Sequence, residues 1–157
     1  MPVQALREFL DRNRIKYVTI SHSPAHTAQE VAASAHIPGR AMAKTVIVKL
    51  DGRLAMAVLP ASEMIDLELL ADAAFAQRAE LADENGFRDR FPGCELGAMP
   101  PFGNLYGLDT YVTASLAEDD EIAFNAGTHT ELIRMPYRDF ERVVHPKSID
   151  TRAADAR

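Results

Sequence analysis

Residues 43–60 read AKTVIVKLDGRLAMAVLP, two β-rich apolar runs on either side of Asp51-Gly52. Asp-Gly is the dipeptide that a type I′ turn favours, because both central residues of that turn need positive φ. The stretch therefore predicts paired antiparallel strands over 44–50 and 53–59, with enough Val, Ile and Leu to lie near the middle of a sheet. The rest of the fold is read outward from this hairpin.

Upstream, Val3, Leu6, Phe9 and Leu10 recur at helical spacing between charges, predicting an amphipathic helix over 3–14. KYVTISH (16–22) alternates and is β-branched, so it reads as a strand. Thr27-Ala-Gln-Glu30 has the capping-box pattern, opening a helix that runs to about Ala35 before Pro38-Gly39 ends it. Downstream, Asp66 caps a helix over 67–75 and Asp83 a shorter one over 84–90, with a short strand at 78–81 between them. LDTYVT (108–113), EIAFNA (121–126) and TELIRM (130–135) read as strands, the last two joined tightly around Gly127-Thr128-His129. Pro136 suits the first turn of a final helix, YRDFERVV. The pattern predicts one mixed α/β domain over 1–145, mostly antiparallel, with a curved sheet of six to seven strands and four or five short helices. The segment 146–157 lacks an apolar pattern and is expected to be a flexible tail.

Composition narrows the chemistry. The chain has 157 residues and a single cysteine, Cys94, so an internal disulfide or a cysteine zinc cluster is excluded. His22 and His26 are four apart, but Pro24 between them opposes one helix face presenting both to a metal, and no metal is expected. No apolar run reaches the ~20 residues of a membrane span. The N-terminus carries charges where a signal peptide needs its apolar core, so a cytoplasmic protein without membrane contact is expected. The net charge is −6, with residues 1–60 at +4 (eight Lys/Arg, four Asp/Glu) and 61–157 at −10 (nine against nineteen). That balance opposes broad binding to DNA and suits a local anionic group.

No standard catalytic cassette is present. Cys94 follows Pro92-Gly93 with no histidine near it in sequence, and Ser62 and Ser115 lack the GxSxG context. There is no phosphate loop of the Walker or GxGxxG kind. Three features remain: Lys44, with Thr45 beside it, at the head of the first hairpin strand; the loop Gly97-Ala-Met-Pro-Pro-Phe-Gly103; and the turn Ala126-Gly127-Thr128-His129. Two adjacent prolines between two glycines make a stiff loop, more rigid than a connector requires. Singly, each feature reads as ordinary turn or rim chemistry.

In order, they resemble the YbaK/ProX aminoacyl-tRNA deacylase family, related to the editing domain inserted in bacterial prolyl-tRNA synthetases. The resemblance runs from about Leu6 to Val144. HTAQEVAASAHIPGRAMAKTVIVK leads to the family's lysine, here Lys44; Gly97-Ala-Met-Pro-Pro101 matches its GxxxP loop; FNAGTHTELIRMPYRDFERVV matches its closing hairpin and helix. The resemblance implies hydrolysis of the ester between a wrongly attached amino acid and the terminal adenosine of tRNA, by water, without a covalent nucleophile or a cofactor. It implies catalytic roles for Lys44, Gly97 and Pro101, and substrate contacts from Thr45, Met99, Pro100, Gly127 and His129. Lys44 would bind a phosphate or stabilise the oxyanion, and the rigid loop would offer its backbone polar groups to the ester. The amino acid removed would be small, such as Ala, Ser, Thr or Cys, with Met99 and the prolines as a compact apolar wall that favours alanine. The tRNA acceptor end would be held through few phosphates near Arg40, Lys44, Lys49 and Arg53, with a synthetase as a further partner. A non-catalytic tRNA- or synthetase-binding module of the same fold is the alternative.

Overall fold

The computed structural model describes residues 3–23 and 27–149. His26 and residues 150–157 lie outside that set. The elements in chain order are α1 (Gln4–Arg12), β1 (Val18–Ser21), α2 (Ala28–Ser34), β2 (Met42–Leu50), β3 (Arg53–Pro60), α3 (Leu67–Ala74) and β4 (Ala79–Leu81). They continue with α4 (Glu84–Phe87), β5 (Thr110–Thr113), β6 (Glu121–Asn125), β7 (Glu131–Pro136), α5 (Tyr137–Val144) and β8 (Lys147–Ile149). The strands form one sheet in the order β1-β7-β6-β2-β3-β5-β8, and β4 adds to the far end of β2. Four of the seven pairings are antiparallel, and β2/β6, β3/β5 and β5/β8 are parallel.

The opening stretch forms as its residues require. Asp51 and Gly52 take φ of 51° and 85°, and β2 and β3 pair in register from Leu50↔Arg53 to Ala43↔Pro60. Asp51 has a second task, because its carboxylate accepts the amide N–H groups of Gln77 and Arg78 and ties the approach to β4 onto the hairpin. The capping box closes in both directions between Thr27 and Glu30, and Asp66 accepts two amides at the start of α3.

Two layers cover the sheet. On one face α1 and α5 enclose the main core, centred on the fully buried Phe102. Its ring meets Phe9 and Phe140 edge to face at 5.9 and 5.6 Å and Phe124 at 5.3 Å. Burying a side chain of this size contributes about 1.5–3 kcal/mol. On the other face α2 sets Val31 and Ala32 against Met42, Ala123 and Leu132, while α3 sets Leu70 against Val48, Ala57 and Tyr111.

One expectation needs correcting. The seven strands read from sequence are all present, and an eighth, Lys147–Ile149, falls in the expected tail and pairs in parallel with Tyr111–Thr113. Lys147 and Ser148 are exposed and only Ile149 is buried, so a three-residue strand held by one apolar anchor leaves no periodicity to read. The boundary expected at residue 145 falls short of this strand.

Candidate active site

The site begins as a break in the sheet. β2 is central and pairs with β3 along nearly its whole length, yet on its other edge it meets β6 only at Met42↔Ala123 and Ala43↔Phe124. That edge is taken up again at Val48–Leu50 by β4. Between the two partners, Lys44, Thr45 and Val46 are half-exposed in a strand that is otherwise mostly buried. β2 and β6 therefore part immediately after Ala43 and Phe124. The next residues on the two strands are Lys44 and Asn125. Met42 and Ala123 face α2, and side chains alternate along a strand, so Lys44 and Asn125 stand on that same face, at the mouth of the split.

Lys44 is partly desolvated there, and this pushes its ammonium below the usual lysine range; the Glu63 carboxylate opposes the shift. Glu63 is itself held by the Ser115 hydroxyl, which donates to it at 2.7 Å. A lysine in this setting is a fixed cation with only part of its hydration shell, which strengthens its attraction for an incoming anion or a developing oxyanion.

The loop from Ala98 to Phe102 has no regular secondary structure, yet all five of its residues are buried. It is fastened to the β6–β7 turn by a short ladder. Glu95 N–H donates to the Gly127 carbonyl at 2.8 Å, and Gly127 N–H donates to the Ala98 carbonyl at 2.9 Å. The Glu95 carboxylate accepts His129 N–H at 2.8 Å, and the His129 ring Nε2 bonds the Leu96 carbonyl at 2.8 Å. Gly127 sits at φ +99°, and a Cβ there would lie 3.1 Å from Val3. Only glycine meets both demands without strain. The turn and the loop thus form one rigid unit beside the split.

Comparison with known proteins gives the family. The aminoacyl-tRNA editing domain family matches residues 22–143, well over half of the chain. The chain belongs to that family. The editing domain is also 29% identical over 157 residues to the multifunctional Ser/Thr-tRNA deacylase ProXp-y of Escherichia coli (strain K12), covering 95% of this chain and 92% of the relative. Two solved structures share its fold at 18% identity. One is the hypothetical protein APE2540, with a TM-score of 0.83 over 94% of this chain and 98% of that one. The other is a candidate trans-editing enzyme for prolyl-tRNA synthetase, with a TM-score of 0.77 over 94% of each. The chain is thus an aminoacyl-tRNA editing domain.

Within the editing domain, the residues singled out from sequence separate into three groups. Gly97, Gly127 and His129 come together in the ladder. Lys44 stands across the split on β2, with Thr45 turned by strand alternation to the opposite face, where its partner Val58 joins the main core. Met99, Pro100 and Pro101 are buried, and the Met99 side chain packs into the main core with Phe102. Met99 therefore gives no support to an alanine-sized wall. The basic residues are dispersed: Lys44 and Lys49 are an odd number apart on β2 and face opposite ways, and Arg40 is paired with Asp119 at 3.4 Å. Cys94 is half-buried beside the Tyr106 hydroxyl at 3.4 Å, and burial pushes its thiol up, away from the reactive thiolate.

Sequence reasoning missed the pairing of Glu63 with Ser115, and it missed Glu95 and Asn125. The first two meet across 52 positions of chain and carry no local pattern. Asn125 did leave a signal, as the one uncharged polar residue inside the apolar run EIAFNA.

Proposed function

We propose that this deacylase removes serine or threonine from mischarged tRNA at the split between β2 and β6. Lys44 supplies the positive charge, either to the phosphate beside the terminal adenosine or to the ester oxygen as it becomes anionic. The loop from Gly97 to Pro101 supplies fixed backbone beside the ester. Among the described residues the N–H groups of Gly97 and Met99 bond to no other backbone group, and both remain as donors for substrate. Gly127 and His129 act by holding that loop. Water is the attacking species, assisted by the ribose hydroxyl of the substrate, and Pro100 and Pro101 shape the walls. An aminoacyl ester is already activated, so positioning and electrostatics supply most of the acceleration.

The observation that carries this reading is the half-exposed Lys44 at the one place where the central strand loses its neighbour. Serine and threonine are favoured by the likeness to the Ser/Thr-tRNA deacylase. The acceptor end is held through few phosphates, in keeping with the dispersed basic residues. The protein acts in the cytoplasm, with a synthetase as the source of tRNA selectivity; no described helix is long and apolar enough to cross a membrane. The test is deacylation of a panel of tRNAs charged with Ser, Thr, Ala, Cys and Pro. Ser- and Thr-tRNA are expected to be cleaved fastest, and a panel cleaved no faster than its spontaneous rate contradicts the proposal.

A further inference from the structure

Asn125 ends β6 at the split, 8% exposed, and its carboxamide oxygen is fully buried without a hydrogen-bond partner. Strands rarely keep such a group. An unsatisfied buried acceptor forfeits its bond to water and gains none in return, and most native buried polar atoms are paired. Here the neighbours cannot help, because Leu132 stands opposite on β7 and Ala123 and Met42 line the same face. On the remaining side is Lys44 and the gap left by the parting strands. An unpaired amide on the same sheet face as Lys44, at the residue where β6 leaves β2, is placed to receive a donor from a substrate that enters between the parting strands.

Resting on the reading of this site as a Ser/Thr-tRNA deacylase, we infer that Asn125 is the specificity residue that reads the side-chain hydroxyl of the aminoacyl group. A carboxamide both accepts and donates, which matches a hydroxyl, and the apolar surroundings of Leu132 and Met42 suit a short side chain. A site whose buried polar group is completed by a substrate hydroxyl rejects the analogue that lacks it far more strongly than a wholly apolar pocket distinguishes a methylene. Alanine would leave the Asn125 oxygen unpaired, whereas serine or threonine would satisfy it. Compactness of the wall, the property first sought in Met99, plays no part in this discrimination.

The inference is tested with Asn125→Leu, close in shape and without polar atoms, and Asn125→Ala, assayed under single turnover on Ser-, Thr- and Ala-tRNA beside wild type. Both variants are expected to lose about 100-fold on Ser- and Thr-tRNA while Ala-tRNA changes by less than about 3-fold. Asn125→Leu is also expected to melt at a higher temperature than wild type, since replacing an unpaired buried amide by an apolar group of like shape removes a cost. A merely structural asparagine would lower the melting temperature and slow all three substrates alike, and that result overturns the inference. So does an unchanged Ser-to-Ala ratio in either variant. Wild type that cleaves no charged tRNA, or Ala-tRNA but not Ser- or Thr-tRNA, defeats the proposed function, whereas wild type that prefers Ser- and Thr-tRNA beside variants that keep the same preference defeats the role of Asn125 alone.

Discussion

The His129 ring is bound through Nε2 to the Leu96 carbonyl at 2.8 Å, directly beside Gly97, whose added Cβ would touch the same ring at 3.4 Å. A carbonyl only accepts, so Nε2 carries the proton and donates it. That proton is present in one neutral tautomer and in the imidazolium alike, so the bond holds the ring against the loop in either state. His129 is thus a positioning residue for the loop. His129→Ala is expected to lower kcat roughly 10- to 100-fold through misplacement of the loop with little change in KM. His129→Gln, which keeps a donor, should recover part of the loss. A variant that lowers kcat/KM only through KM would place His129 in direct substrate binding instead.

Lys44 is expected to set the alkaline behaviour. Desolvation, partly offset by Glu63, holds its ammonium below the usual lysine range, so its charge is lost earlier than an ordinary lysine's as pH rises. After subtraction of spontaneous ester hydrolysis, kcat/KM should show an alkaline decline that Lys44→Arg lacks, because arginine stays charged throughout. A variant with reduced but pH-independent activity is the expected outcome. An identical decline in both proteins would assign the limb to another group.

Gly127 couples the loop to the fold. Gly127→Ala must place a side chain at positive φ and push against Val3 at 3.1 Å, a combination expected to cost about 1–3 kcal/mol. Thermal melting should shift down by several degrees, and deacylation should fall further than stability alone explains, since the bonds from Gly127 to Glu95 and Ala98 hold the loop. Gly52→Ala in the hairpin turn provides the control: nothing lies within 4 Å of its Cβ, so its melting change should come without a specific loss of activity.

Tyr137, at the start of α5, is buried, and this with the nearby Glu141 pushes its phenol up to about 12 from the ordinary 10.0. Between these values the unfolded chain has released the proton that the folded protein keeps, so stability declines with rising pH. The contribution is complete below pH 10 and fades as pH approaches about 12. Denaturant titrations at pH 9 and 11 should show the midpoint falling for wild type and falling less for Tyr137→Phe.

Most of the fold is written in short-range chemistry. Asp51-Gly52 sets its own turn, Thr27 and Glu30 cap each other, and the alternation of EIAFNA and TELIRM fixes which side chains meet the core. β8 escaped because three residues with one apolar anchor carry no period. The candidate site offered its residues singly and not its arrangement. Lys44, Gly97, Gly127 and His129 could be picked out, but the split that gives them meaning exists only where β2 and β6 diverge, a property of two strands almost eighty residues apart. Met99 misled for a related reason: a methionine in a stiff loop reads as a pocket wall until Phe102 shows which way the loop faces.

The central claim is that a cation at the split and a fixed loop, without a covalent nucleophile, cleave the ester. Single-turnover deacylation of Ser-tRNA by Lys44→Ala tests it most directly, with Cys94→Ala in parallel and melting curves to verify both folds. Lys44→Ala is expected to lose about 100- to 1,000-fold, in line with removal of one charge-stabilising group, while Cys94→Ala stays within about 2-fold of wild type. Full activity in Lys44→Ala, or its collapse in Cys94→Ala, would contradict the account.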